Sequence, residues 1–183
     1  AVNWFEAPGL AGVWTPNADV KDAYGTSAAY TISLASLASS ATLVAGQEST
    51  AISNTTNLFM DYLVGGKITM GTTPTVDKTV EIWLYASVND TPTYPDVFDG
   101  TDSAETVTSV NVKKSALRLL ERIFVDATTD RVFWFGPVGI AQAFGGQVPK
   151  NHGLFVTHDA VAALNATAGN HVLSYTGTYS TVI

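Results

Sequence analysis

Between Val80 and Val88 the chain alternates without a break: Val80, Ile82, Leu84, Ala86 and Val88 are aliphatic, while Glu81, Trp83, Tyr85 and Ser87 take the positions between them. Successive side chains of a strand point to opposite faces, so this period of two predicts a β-strand with one buried aliphatic face. Asn89-Asp90-Thr91-Pro92 stops the strand, because proline cannot donate to a ladder and Asn and Asp favour turns. From Asn89 to Ser109 the chain is polar, carries Pro92, Pro95 and Gly100, and keeps little periodicity. It reads as a long surface loop, a kind of segment that often carries function.

Turn signals divide the rest of the chain into further short segments. Residues 30–34 and 42–45 are β-rich, and Gly46-Gln47-Glu48 reads as a turn. Residues 55–64 set Leu58, Met60, Tyr62 and Val64 on one face, and Gly65-Gly66 then makes either a tight hairpin or a bulge before residues 67–70. Residues 115–125 fit a helical stripe (Ala116, Leu119, Leu120, Ile123, Phe124) as well as a strand (Leu117, Leu119, Ile123, Val125). The strand is favoured, since residues 126–130 read as a hairpin loop leading into a strand at 131–135 that Gly136-Pro137 ends. Residues 140–144 suit one helical turn closed by Gly145-Gly146, and 153–158 and 171–179 are the last strands. About eight strands with regular turn signals predict an all-β fold, a two-sheet antiparallel sandwich of jelly-roll type.

The 183 residues suit one domain, here residues 30–183, preceded by an arm of residues 1–29. The arm holds Trp4, Phe5, Leu10, Val13 and Trp14 between Pro8, Gly9, Gly12 and Pro16, and follows neither the helical nor the strand period. Such a segment either packs along its own sandwich and caps an edge, or docks on a neighbouring subunit, where Trp and Phe are effective anchors. With 46% hydrophobic and only 14% charged residues, part of the surface is expected to be covered by partners. A net charge of −7 opposes binding to nucleic acid, whose phosphates require Lys and Arg. The chain has no cysteine, which excludes a disulfide framework and Cys-based zinc or redox sites. No stretch approaches the roughly 20 apolar residues of a membrane span. The expected product is soluble, made in the cytoplasm and not membrane-bound.

Few residue clusters could carry chemistry. Asp96, Asp99, Asp102 and Glu105 are spaced D-x-x-D-G-x-D-x-x-E, a composition that calcium tolerates but not the EF-hand pattern, so a solvated loop is the better reading. His152, His158 and His171 lie in the C-terminal third, and His158-Asp159 could orient an imidazole. No G-x-S-x-G or H-E-x-x-H pattern accompanies them, so no enzyme, metal or cofactor is expected. Trp83 and Tyr85, opposite the aliphatic face, and Tyr94 in the loop beyond could stack on sugars, anchor a protein partner, or be covered by another part of the chain.

The stretches NTTNLFMDYLVGGKITMGTTPT, VEIWLYASVNDTPTYPDVFDGTDSAET, DRVFWFGPVGIAQAFGG and LNATAGNHVLSYT resemble a family of small structural proteins of tailed bacteriophages, over residues 33–178. The resemblance lies in whole stretches and brings no functional residues with it. It implies a jelly-roll-like virion protein, a capsid decoration (cement) protein on the head surface bound to the major capsid protein or other virion proteins. Such a protein stabilises the shell by mass action, and gathering at symmetry axes would suit a homo-oligomer such as a trimer. Trp4, Phe5, Leu10 and Trp14 are then the expected contact set, with Trp83, Tyr85 and Tyr94 secondary. The competing expectation is a carbohydrate-binding, host-attachment module of a phage tail that uses Trp83, Tyr85, Tyr94 and the acidic loop.

Overall fold

A computed structural model describes residues 20–182 of the chain, so the expected contact residues Trp4, Phe5, Leu10 and Trp14 lie outside the described residues. In chain order the elements are β1 (Val20–Tyr24), β2 (Ala28–Ala29), β3 (Ala45–Glu48), β4 (Ile52–Ser53), β5 (Asp61–Thr69) and β6 (Lys78–Ser87). There follow β7 (Ala104–Thr106), α1 (Val110–Ala116), β8 (Arg118–Val125), β9 (Val132–Gly139), β10 (Asn151–His158) and β11 (Val172–Val182). They form two antiparallel sheets packed face to face. The first runs β1-β11-β5-β9, with β2 also on β11, and the second runs β7-β3-β10-β6-β8, with β4 also on β10.

The aliphatic face of β6 is buried as its alternation predicts as far as Leu84, whereas Ala86 is half-buried and Val88 lies past the end of the strand and is exposed. Val80, Ile82 and Leu84 are buried between the sheets with Val64, Ile68, Leu154, Val156 and Leu173. The other face of β6 is buried too. Trp83 and Tyr85, with Phe155 of β10, form a second cluster against Phe98, Val107 and Leu117. The chain between β6 and β8 lies over this outer face, so the second sheet is covered on both sides and β10 is buried at all eight positions. Gly153 of β10 makes room for this layer. It stands opposite Tyr85 in the ladder, and a Cβ on it would lie 2.2 Å from the tyrosine ring.

Several elements differ from the sequence reading. Val20–Tyr24 and Ala28–Ala29, within the aperiodic arm, pair with β11. Gly46-Gln47-Glu48 is part of β3, because the small Gly46 lets the strand cross Phe155, whose ring would lie 2.8 Å from an added Cβ. Strand β5 begins only at Asp61, which leaves Leu58 and Met60 exposed, and Gly65-Gly66 is a bulge, where the register with β9 shifts. Residues 118–125 are a strand, and the helix ends just before it, capped by Ser109, whose Oγ accepts from the Val112 N–H. Residues 126–130 join two sheets and no hairpin ladder forms, since β8 pairs with β6 and β9 with β5.

Candidate interaction surface

Strand β11 is long, and its two neighbours cover different parts of it. Strand β5 pairs with Val172 to Thr178, whereas β1 pairs with Thr178 to Val182. Past Thr178 the first sheet therefore narrows, among the described residues, to a ribbon of two strands that extends about 13 Å beyond β5 at roughly 3.3 Å per residue. The base of the ribbon is fixed by Phe59. Its ring lies so close to Gly25 and Gly177 that a Cβ on either would come within 2.8 Å and 2.2 Å of it, and it packs 6.0 Å from the Tyr179 ring. Among the described residues the tip has no third strand beside it, and an isolated two-stranded ribbon is only marginally stable in water. Tyr24, Leu58, Met60 and Tyr179 are exposed near the base. The apolar segment of residues 1–19 joins the described chain at the tip.

Two of the three sequence-predicted aromatics are enclosed. Trp83 is 5% exposed, its Nε1–H donates to Glu81 at 2.9 Å, and the Lys113 ammonium lies 4.8 Å from its ring centroid. Tyr85 is 0% exposed, donates from its hydroxyl to the Ser49 carbonyl at 2.6 Å, and stacks on Phe98 with ring centroids 4.9 Å apart. Tyr94 is half-buried, with its ring edge-on to Tyr85. The expectation that Trp83 and Tyr85 serve as contact residues is corrected on this point, because the following segment covers their face.

The acidic loop uses its carboxylates to fold itself. Asp96 accepts from the Thr108 N–H at 2.8 Å and hydroxyl at 2.6 Å, and Asp99 accepts from the same two groups of Thr101. Asp102 accepts from the Ser33 N–H and hydroxyl and from the Gln47 amide. The bonds from Thr101 hold the Asp99 carboxyl below the usual carboxylate range. Among the described residues no group of three or more His, Cys, Asp and Glu is arranged to hold a metal ion.

The three histidines are built into the body. His152 lies 4.8 Å from the Tyr62 ring and 6.5 Å from that of Tyr30, and burial lowers its pKa to about 4. His158 Nε2 is 3.0 Å from the Leu37 carbonyl and His171 Nε2 is 2.8 Å from that of Asn165, and burial lowers both pKa values. None of the three lines either of two surface grooves. One groove, about 380 Å³, lies on the first sheet between Tyr24, Leu63, Pro137 and Thr176. The other, about 510 Å³, lies between Ser36, Thr73, Asp130 and Ala163.

Sequence reasoning missed two buried carboxylates. Glu81 sits among Lys113, Arg122 and Trp83, and its charge in an otherwise aromatic strand face was the available signal. Glu48 is fully buried and accepts the Gly100 N–H at 2.7 Å, which ties the acidic loop to β3, and burial raises its pKa. Comparison of the chain with protein-family models, with curated proteins and with solved structures gives no match.

Proposed function

We propose that this chain is a non-enzymatic structural protein of a tailed-bacteriophage virion, a capsid decoration (cement) protein that binds the outer surface of the head. The observation that supports this reading most is the two-stranded ribbon of β1 and β11. The first described residue, Val20, lies beyond the last pairing of β5, and the sequence before it is an apolar segment with two tryptophans. Aromatic anchors at such a place suit docking into a neighbouring protein. The family resemblance in the sequence and the acidic surface, which opposes contact with packaged DNA, support the same reading.

Co-sedimentation with expanded, undecorated heads tests it. The full chain is expected to saturate at a fixed ratio to the major capsid protein, and a chain lacking residues 1–16 to stay folded and leave the heads bare. Full decoration by the truncated chain would remove the arm from the proposal, and no binding by the full chain would remove the head.

A carbohydrate-binding tail module is the second reading. Trp134 on β9 favours it, because this ring is 74% exposed on a sheet strand while Trp83 and Tyr85 are enclosed. A glycan array separates the two readings, since a cement protein leaves every spot empty.

A further inference from the structure

The two edges of the second sheet differ in charge. Strand β7 forms one edge and β8 the other, with β3, β10 and β6 between them. Asp96, Asp99, Asp102 and Glu105 lie in the loop that runs into β7 and on β7 itself, a stretch without Lys or Arg. Lys114 beside β8 and Arg118 on it are exposed, while Arg122 on the same strand pairs with the buried Glu81 and Glu121 there is half-buried. The chain has 9 basic residues against 16 acidic ones, so two exposed cations at one edge that form no ion pair among the described residues are not the average of its surface. The chain itself carries this separation, passing from the acidic edge through α1, across the outer face of the sheet, to the basic edge.

Both edges also have free backbone. Among the described residues β8 pairs only with β6, and β7 only with β3. An uncovered edge presents a row of N–H and C=O groups to any strand that can approach it. Exposed apolar side chains stand at each: Leu119 and Phe124 on β8, the latter 70% exposed, and Val97 in the loop before β7. Apolar anchors ringed by opposite charges are what a specific protein contact requires, the charges setting partner and register.

We propose that copies of this chain associate head to tail, with the basic β8 edge of one copy on the acidic β7 edge of the next. The contact joins two different patches of the same molecule, so it propagates, closing into a ring where the rotation permits. A like-to-like contact would set basic edge on basic edge and is opposed by charge. The association is argued from β7 and β8 alone, and it stands or falls separately from head binding.

Sedimentation velocity of the full chain tests this. At low salt, species heavier than the 19.3 kDa monomer are expected, and they are expected to recede as ionic strength rises and the charges are screened. A basic-edge variant (Lys114→Glu with Arg118→Glu) and an acidic-edge variant (Glu105→Lys with Thr106→Lys) are each expected to sediment as monomers. An equal mixture of the two is expected to regain heavier species, because each supplies the edge that complements the other. Phe124→Ser removes an exposed anchor without changing charge and is expected to weaken association about tenfold or more. It decides the matter if a charge variant fails to fold. A full chain that stays monomeric at low salt and about 100 μM, far above the Kd of most specific contacts, overturns the proposal. So does a mixture that stays monomeric while both of its folded components do.

Discussion

Lys113 on α1 and Glu81 on β6 form an ion pair of 2.8 Å in which both side chains are almost wholly buried. Arg122 on β8 donates to the other carboxylate oxygen at 2.7 Å, and the Lys113 ammonium donates to the Leu43 carbonyl at 2.6 Å. One carboxylate thus ties the helix to two strands. Burial by itself would raise the Glu81 pKa, but the hydrogen bonds from Lys113 and Trp83 and the charge of Lys113 outweigh it and hold the group below its usual range. Burial also pulls the Lys113 ammonium downward against the charge of Glu81. The short contact favours the charged form of both partners, while Arg122 favours the ionised carboxylate and opposes the ammonium.

Lys113→Met should therefore cost more than a surface ion pair does. It leaves a buried carboxylate facing one partly exposed arginine, and breaking a buried pair from one side costs about 3 kcal/mol or more. Urea denaturation at neutral pH measures this. The loss should shrink in acid, because a carboxylate with a lowered folded pKa contributes stability above its unfolded pKa and gives it up as pH falls through the folded one. A loss below about 1 kcal/mol would put the pair in the class of surface bridges.

His152 sets the sign of another pH dependence. Its pKa is lowered to about 4 by burial, while the unfolded chain takes up a proton near 6.5. Between these values the unfolded state binds more protons, so stability should fall with falling pH, by about 3 kcal/mol once pH 4 is reached. His158 and His171, also lowered by burial, act in the same direction. His152→Leu should flatten the decline between pH 6.5 and 4, read from denaturation midpoints across that range. An unchanged decline would assign the effect to other groups.

The sandwich was legible because β6 states its inner face in aliphatic residues at every second position. The outer layer was not, for a physical reason. Trp83 and Tyr85 alternate correctly for a strand face, but whether solvent or protein meets that face depends on partners far along the chain. Phe98 reaches Tyr85, and Lys113 reaches Glu81 across 32 residues, contacts that local periodicity does not encode. Gly46 was misread as a turn for a related reason, since it is a glycine that lets β3 pass Phe155. Of the candidate site, the apolar character of residues 1–19 was readable. The ribbon they join was not, because its strand Val20–Tyr24 has no alternating pattern and depends on pairing with β11 at the other end of the chain.

Gly153→Ala tests the outer layer directly. The added methyl would lie 2.2 Å from the Tyr85 ring, which is stacked on Phe98 and held at its hydroxyl by Ser49. The ring cannot turn aside without breaking these contacts, so about 1–3 kcal/mol of stability should be lost, as for overpacking generally. Near-ultraviolet circular dichroism should change with it, since the stacked tyrosine reports the layer. A neutral result with an unaltered spectrum would show that the layer yields easily.

The ribbon makes the last prediction, and hydrogen exchange reads it. Amides of β6 and β10 lie at the centre of the second sheet under two buried layers and should open only with global unfolding. Amides of β1 and of Tyr179 to Val182 belong to a two-stranded ribbon without a third strand among the described residues. They should exchange orders of magnitude faster in the free protein, because local opening of such a ribbon exposes little apolar surface. If the ribbon carries the contact to a larger assembly, binding must order it, and protection at these amides should rise sharply in decorated heads while β6 and β10 stay unchanged. Strong protection in the free chain would mean that residues 1–19 already cover the ribbon in the same molecule, and the docking element would have to be sought at the sheet edges instead.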